Sequence, residues 1–377
     1  MRKIRLVTGL VCLAVLASIL TLGLWPFHVP ANDVAWLKDR SGLEFGGSGT
    51  AISSDFLPKP GRGEEDGGSL EIWLRPGSIW DSGTFLSLWS PEVLFQLSVR
   101  QSQRDLEIQC ARAAKLYVDD VFRRPRAVFI TITSGGGGTS IYVDGVQVKT
   151  APRFRLSTRH FTGRLIAGDA PGQTDSWRGQ LFGLAIYHRE LKPPEVACHY
   201  SAWTQEGRPK TAEDEQNVAL YLFGEHDGNL VHNAVAGPDL EIPAKYTVLD
   251  KIFLEPFWQE FSLSRSYLSA AVKNIIGFVP LGFCFYAYLA ELRVKRAGLA
   301  TVLLGTAVSV TIEVLQAYLP TRDSGTTDIF TNTLGTWIGV ASYNVVSPIL
   351  ARAFPWVPCL TPSCQLECTR QHHGDRD

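Results

Sequence analysis

The stretch IEVLQAYLPTRDSGTTDIFTN, residues 312–332, joins two apolar segments at about 297–318 and 328–350. Each segment is long enough for a helix that crosses the hydrocarbon core of a bilayer, which takes about 20 residues. Glu313 and Asp328 nevertheless fall within these segments, and a charged side chain in lipid is costly unless it faces the interior of a helix bundle. The stretch therefore predicts a membrane bundle whose polar groups gather near one end.

Small and polar residues recur on one face of each of these two helices and of a third apolar segment, at about 268–289. Spacings of three and four residues place side chains on the same helix face, and small residues there let helices approach closely in lipid. The stripes are Gly305, Ser309, Glu313 and Gln316; Asp328, Asn332, Gly335 and Gly339; and Asn274 and Gly277, followed by Pro280 and Gly282.

The polar ends of the stripes predict a pocket at the outer side of the membrane. Its expected members are Asn274, Glu313, Gln316, Arg322, Asp323, Asp328 and Asn332. Arg322, in the short loop, is the expected counter-charge of Glu313 or Asp328, so these three residues should be energetically coupled. An ion-pair network that only locks the bundle explains the same residues, but an apolar substitute would pack there at lower cost. Lys273 is expected to extend to the lipid headgroups instead.

A further apolar run at 6–25, preceded by Arg2, Lys3 and Arg5, predicts an N-terminal membrane helix within residues 1–25. A cleaved signal peptide has a similar basic start, but this run is long for one, so an uncleaved anchor is favoured. Basic residues collect at the cytoplasmic ends of membrane helices, which places the N-terminus and the linker 291–298 inside. We predict four membrane helices with both termini in the cytoplasm.

The region 32–245 would then lie outside the membrane, and its sequence is typical of an all-β domain. SLEIWLR (69–75) and LEIQC (106–110) alternate apolar and polar residues as strands do, and IYVDGVQV (141–148) has Asp-Gly at a hairpin turn. Short strands separated by turns predict a two-sheet sandwich.

Composition excludes some partners and scaffolds. With 36 Lys and Arg against 37 Asp and Glu, the chain has no net positive field for a nucleic acid. Its 7 Cys are too sparse for a disulfide scaffold, although one bridge between Cys110 and Cys198 stays open. The tail, 351–377, is expected to be a disordered cytoplasmic segment. Its Cys and His match no familiar zinc-finger spacing; they are Cys359, Cys364, Cys368, His372 and His373.

The sequences GSLEIWLRP (68–76), VFITITSGGGGTSIYVDGVQV (128–148) and GQLFGLAIYHRELKPPEV (179–196) resemble the laminin-G-like, concanavalin A-like lectin/glucanase jelly roll. The resemblance implies binding of a glycan or a protein. Some relatives hydrolyse β-glucans, but no strand here has the paired carboxylates that this needs. Trp80 and Trp177 either stack on sugars or belong to the core. Asp144 and Asp169 either hold calcium or serve as turn residues, and no cofactor is expected.

NIIGFVPLGF (274–283) and IEVLQAYLPTRDSGTTDIFTNTLGTWIG (312–339) resemble the VanZ-like family of bacterial membrane proteins. The matching residues are Asn274, Pro280, Gly282, Glu313, Gln316, Arg322, Asp328, Asn332 and Gly335. The resemblance covers about 250–350 and implies a bacterial inner-membrane location. It also implies a role in the cell envelope, since the name-giving member is linked to low-level resistance to the glycopeptide teicoplanin. The expected fold class is mixed: one membrane helix, an all-β jelly roll, and a three-helix VanZ-like bundle.

Two kinds of function follow. A non-catalytic envelope protein is favoured: it contacts membrane lipids, its sandwich binds a glycan or protein, and its pocket binds a lipid-linked or glycopeptide-related ligand. Alternatively, it is an enzyme on an envelope lipid or glycan precursor, with Glu313 or Asp328 as general base and Arg322 holding a phosphate. Against catalysis, the three C-terminal helices contain no His. A purely tethered carbohydrate-binding module and a homo-oligomer stay open.

Overall fold

The computed structural model describes residues 2–353, except 60, 62–65, 111–113, 173, 210–216 and 262–264. The chain divides into two compact units. One combines Met1–His28 with Ile252–Asp377, and the other is Val29–Lys251. The Cys and His of the tail lie outside the described residues, so the prediction for them stays a prediction.

The elements follow the predicted order, with one long helix first, then the strands of the sandwich, then the C-terminal helices. In chain order the helices are α1 (Arg2–Leu24), α2 (Pro193–Glu206), α3 (Phe257–Glu260), α4 (Arg265–Glu291), α5 (Ala297–Gln316) and α6 (Thr326–Ala353). The strands are β1 (Val34–Trp36), β2 (Leu43–Phe45), β3 (Ala51–Ser53), β4 (Gly68–Pro76), β5 (Ser82–Ser90), β6 (Val93–Ser102), β7 (Asp105–Cys110), β8 (Ala114–Val118), β9 (Val128–Gly135), β10 (Gly138–Val143), β11 (Val146–Ala151), β12 (Arg164–Ala167), β13 (Gly179–Tyr187), β14 (Asn217–Tyr221), β15 (Leu230–Val231) and β16 (Leu240–Glu241).

The unit Val29–Lys251 is the predicted sandwich, made of two antiparallel sheets. One sheet has the order β1-β2-β13-β4-β9-β10-β11, with β14 also paired to β13, and the other has the order β15-β16-β3-β12-β5-β6-β7-β8. Strands from the C-terminal end, β14 and β16, pair with β13 and β3. Strands from the C-terminal end of the domain therefore take part in both sheets.

Strand β4 shows how alternation builds the sandwich. Leu70, Ile72 and Leu74 are buried in the core cluster between the sheets, whereas Glu71 and Trp73 lie on the opposite face, as successive strand residues must. Helix α2 covers this second face, and its Trp203 is fully buried there.

Glu71 is itself fully buried beneath α2. Its carboxylate accepts hydrogen bonds from the Tyr187 hydroxyl (2.8 Å) and from Trp203 Nε1 (3.0 Å), and His199 Nδ1 lies 3.0 Å away. A buried carboxylate needs such partners, and these contacts tie α2 to β4 and β13.

The other unit contains α1 and α3–α6. Three of the described helices are long and apolar enough to cross a membrane, namely Arg5–Leu24, Tyr267–Glu291 and Ala297–Gln316. The predicted fourth segment, 328–350, lies within helix α6, and its passage through the membrane stays a prediction. Helix α1 packs against the C-terminal helices, where Val15, Leu16 and Ile19 contact a cluster that includes Phe278 and Ile312. The predicted three-helix bundle is thus a bundle of four long helices.

Candidate functional site

Glu313 fixes the loop between α5 and α6. Its side chain is 1% exposed, and Oε2 accepts a hydrogen bond of 2.9 Å from the backbone N–H of Gly325, just before α6 begins. The backbone carbonyl of Glu313 also accepts a 2.9 Å hydrogen bond from the Ser324 hydroxyl. The carboxylate therefore lies beside the N-terminus of α6, where the helix dipole favours a negative charge.

A cavity of about 230 Å³ opens beside this carboxylate. Five of the seven residues predicted for the pocket line it, and they are Asn274, Glu313, Gln316, Asp328 and Asn332. Three different helices contribute them: α4, α5 and α6. Asp328 lies in the first turn of α6, the position at which an acidic side chain is favoured.

Asn332 presents an unsatisfied polar atom to the cavity. The side chain is 4% exposed, and its Nδ2 donates a hydrogen bond of 2.9 Å to the Ser309 hydroxyl. Within the described part of the chain, nothing donates to Asn332 Oδ1. Buried polar atoms are almost always hydrogen-bonded, so this oxygen is an acceptor suited to a ligand.

Arg322 and Asp323 are placed differently from the other predicted residues, since neither is among the described residues that line the cavity. The Arg322 guanidinium donates to the backbone carbonyl of Trp25 through Nε (3.0 Å) and through an Nη atom. Arg322 thus ties the α5–α6 loop to the end of α1. Its energetic coupling to Glu313 and Asp328 stays a prediction.

Lys273 and helix α1 complete the cavity, and the sequence reasoning missed both. Lys273 lines the cavity, as do Ile19, Leu22 and Gly23 of α1. The extension of Lys273 to the headgroups stays a prediction. Gln316 Nε2 donates a 2.8 Å hydrogen bond to the Gly23 carbonyl, which joins α5 to α1. The four-residue spacing of Lys273 and Gly277 was the available signal, since it places both on one face of α4.

The predicted small residues lie where α4 and α6 make their closest approach. A Cβ atom on Gly282 would come within 2.0 Å of the Thr336 carbonyl oxygen, and one on Gly335 within 2.2 Å of that of Ile275. Gly339 is equally close to the Val279 carbonyl, at 2.2 Å. Pro280 lies inside α4 in the same region. These glycines permit backbone contact between the two helices.

Exposed aromatic side chains surround the end of the bundle that holds the cavity. Trp25 follows α1, Tyr318 follows α5, and Phe257 and Trp258 precede α4; all four are exposed. The Phe257 ring packs edge-on against Phe330 of α6, with centroids 5.7 Å apart. Aromatic residues are enriched at membrane–water interfaces, so this end of the bundle has the composition of an interfacial region.

In the sandwich, the structure separates the two predicted sugar-stacking residues. Trp177 is 1% exposed, packs against Phe45 and Phe85, and donates from Nε1 to Gln101 at 2.9 Å. A ring so enclosed cannot stack on a sugar, so of the two alternatives for Trp177 the structure supports a place in the core. Trp80 is 67% exposed and accessible to a ligand.

Asp144 and Asp169, for which calcium binding was left open, have protein partners. Asp144 forms a 2.6 Å ion pair with Arg126 and accepts a hydrogen bond from the Phe129 N–H. Asp169 accepts hydrogen bonds from the backbone N–H groups of Ala170 and Asp175 and from the Tyr246 hydroxyl.

Burial raises the pKa of Asp169 to about 7, although these hydrogen bonds act in the opposite direction. Among the described residues no group of three or more His, Cys, Asp or Glu is arranged to hold a metal ion. Cys110 and Cys198 are both free thiols, so the bridge left open for them does not form in this structure.

Two family models match separate parts of the chain. A model of the concanavalin A-like lectin/glucanases superfamily matches residues 47–197, and the VanZ/LLP1 model matches residues 225–347. The chain carries a concanavalin A-like domain and a VanZ-like domain. With its apolar helices, the VanZ-like domain makes this a membrane protein, and the predicted resemblances are confirmed. No curated protein is detectably similar to the chain.

Several solved structures align with part of this chain. A Bacteroides ovatus protein provisionally described as carbohydrate-binding is 14% identical, with a TM-score of 0.42, over 57% of this chain and 61% of that one. A SAP-like pentraxin of Limulus polyphemus is 12% identical, with a TM-score of 0.36, over 57% of this chain and 96% of its own. A Trypanosoma rangeli sialidase is 14% identical, with a TM-score of 0.34, over 46% of this chain and 29% of its own.

Proposed function

We propose that this protein acts in the bacterial cell envelope, with a sandwich that binds a glycan or protein outside the cytoplasm and a membrane cavity that binds a polar envelope ligand. The observation that carries the proposal is the cavity itself. It gathers carboxylates and amides from helices α4, α5 and α6, and one buried amide oxygen, Asn332 Oδ1, accepts no hydrogen bond within the described part of the chain. Polar groups in a membrane bundle are expensive and mark functional sites more often than packing sites.

Charge distribution supports an outward-facing cavity. Arg293, Lys295 and Arg296 lie between α4 and α5, at the opposite end of these helices from Glu313 and Asn274. Because short basic loops stay in the cytoplasm, the cavity would face the outer leaflet of the inner membrane. Both chain termini would then be cytoplasmic, which is the predicted topology.

A cleft on the sandwich supports the binding role of that domain. It has a volume of about 580 Å³, and its lining includes the aromatic rings of Trp73 and Phe182 and the charged side chains of Asp39 and Arg40. The two rings pack with centroids 5.2 Å apart, and the Arg40 guanidinium lies 5.3 Å from the Phe182 centroid. A lining of aromatic rings with a few polar groups is the usual composition of a small-molecule site.

Complementation of a deletion strain under envelope stress, including glycopeptides, tests the proposal. The variants are Glu313→Gln, Asp328→Asn and a chain that lacks residues 36–245, each compared with wild type at matched membrane levels. Glu313→Gln retains an oxygen that can accept the Gly325 N–H, so the loop should persist. Glu291→Gln is the matched control, because Glu291 is at the other end of α4 and hydrogen-bonds to Thr8.

We expect both cavity variants to insert normally and to fail to complement, whereas Glu291→Gln complements. Full complementation by both cavity variants would overturn the role of the cavity and leave a tethered binding domain. The alternative of an enzyme predicts turnover of a lipid or glycan precursor by the purified protein that Glu313→Gln and Asp328→Asn abolish.

A further inference from the structure

Gly277 differs from the other glycines of the helical unit that the structure describes. A Cβ atom on Gly282, Gly305 or Gly335 would come within 2.3 Å of a neighbouring atom, whereas one on Gly277 would meet nothing within 4 Å. Packing therefore does not require glycine at this position. The space beside Gly277 belongs to the cavity, which Gly277 lines.

This open space lies between α4 and α1, on the surface that lipid would cover. Leu22 of α1 lines the cavity and is 75% exposed, and Lys273, one turn before Gly277, is also exposed. Glu313 and Asn332 line the same cavity but are buried. The cavity thus has an open mouth between α1 and α4, with Lys273 at the mouth and the carboxylate and amide at the inner end.

The size of the cavity limits what can enter it. Pockets that enclose a whole drug-sized ligand measure about 300–1,000 Å³, and this one measures about 230 Å³. It therefore accommodates a small polar group, and the remainder of the ligand must stay outside. A mouth at the lipid-facing surface suits a ligand whose remainder is an acyl chain.

The charges of the lining indicate which headgroup fits. Lys273 is a cation at the mouth, and no described residue forms an ion pair with it. Glu313 and Asp328 are acidic, and Asn332 Oδ1 needs a hydrogen-bond donor. A purely anionic headgroup would meet two carboxylates in a poorly solvated site, which is unfavourable. A headgroup with an ammonium at its tip and a phosphate behind it places each charge beside an opposite one.

We infer that the cavity binds the zwitterionic headgroup of a lipid that carries a primary ammonium, and that the lipid enters sideways between α1 and α4. The ammonium lies at Glu313, Asp328 and Asn332, the phosphate lies at Lys273, and the acyl chains remain in the bilayer. The inference rests on the proposed function, since it identifies the ligand class of the same cavity.

Native mass spectrometry of the full-length protein tests the inference. The protein is presented with equimolar dioleoyl phosphatidylethanolamine and dioleoyl phosphatidylcholine, which differ only in the methyl groups on nitrogen. A trimethylated nitrogen cannot donate a hydrogen bond, and one hydrogen bond to a charged group contributes enough to change affinity by about tenfold or more. We expect the phosphatidylethanolamine adduct to exceed the phosphatidylcholine adduct by about this factor in the wild type.

Three variants locate the bound lipid. Gly277→Leu fills the mouth and should remove most of the preferred adduct, whereas Ala17→Leu adds the same side chain to an exposed position of α1 outside the cavity. Lys273→Gln should weaken the adduct, and Lys273→Arg should restore it. Dioleoyl phosphatidylglycerol, which has a phosphate and no ammonium, should bind more weakly than phosphatidylethanolamine.

Equal adducts of the two zwitterionic lipids in the wild type would overturn the inference, as would full selectivity in Gly277→Leu. If Gly277→Leu does not insert, the wild-type ratio and the two Lys273 variants decide the question. Failure here is distinguishable from failure of the proposed function. If Glu313→Gln abolishes complementation while no lipid selectivity is seen, the cavity functions with a ligand other than this lipid.

Discussion

Replacement of Gly335 by alanine should separate α4 from α6. The added Cβ atom would lie 2.2 Å from the carbonyl oxygen of Ile275, and real Cβ atoms essentially never come closer than 3.0 Å to another heavy atom. The oxygen belongs to the backbone of α4 and cannot rotate away, so at least one helix must move. The displacement from 2.2 to 3.0 Å is 0.8 Å.

The size of the effect follows from the packing. Overpacking of this kind destabilises a protein by about 1–3 kcal/mol, while alanine is favoured over glycine within a helix by about 1 kcal/mol. Gly277→Ala is the matched control, because the same methyl group meets nothing within 4 Å. The higher helix propensity of alanine contributes to the stability of both variants, so the difference between their free energies of unfolding reports the clash alone. We expect Gly335→Ala to be less stable than Gly277→Ala by about 1–3 kcal/mol.

Unfolding in mixed micelles of a mild detergent and sodium dodecyl sulfate measures this difference through the loss of helical circular dichroism. Gly335→Ala should unfold at a lower fraction of dodecyl sulfate than wild type, and Gly277→Ala at an equal or higher fraction. Equal midpoints for the two variants would show that α4 and α6 do not approach as closely as the structure indicates.

Three further predictions concern single side chains. The folded-state pKa of Asp169 is about 7, above its ordinary value of 3.8, so the carboxyl ionises more readily in the unfolded chain and the sandwich should lose about 3 kcal/mol of stability as pH rises from 5 to 8. Hydrogen exchange of the full protein should show this loss, and Asp169→Asn should abolish it. Glu71→Leu leaves the buried Tyr187 and Trp203 donors without their acceptor and should destabilise the sandwich by about 3–5 kcal/mol. An unchanged midpoint of urea unfolding, followed by tryptophan fluorescence, would contradict the role of this network. Arg322→Ala removes the hydrogen bonds to the Trp25 carbonyl, so proteolysis of the α5–α6 loop should accelerate, and Arg322→Lys should restore part of the protection.

The sandwich fold and the polar cluster could both be predicted from the local periodicity of the sequence. Alternation in β4 and the other strands predicted a sandwich, because every second side chain must face the core. Spacings of three and four residues predicted that Glu313, Asp328 and Asn332 would share one polar cluster, because charges in lipid must face the bundle interior. Both patterns depend only on neighbouring residues, so the sequence alone reveals them.

Only the tertiary structure decided which surfaces meet. Helix α1 precedes the other membrane helices by more than two hundred residues, and no local pattern indicates that its Gly23 accepts a hydrogen bond from Gln316. Alternation could not distinguish buried Trp177 from exposed Trp80, since both are aromatic residues in strand-rich sequence. The sequence likewise did not predict that Lys273 lines the cavity. Its place at the cavity depends on how α1 and α4 pack together, which is a property of the folded chain.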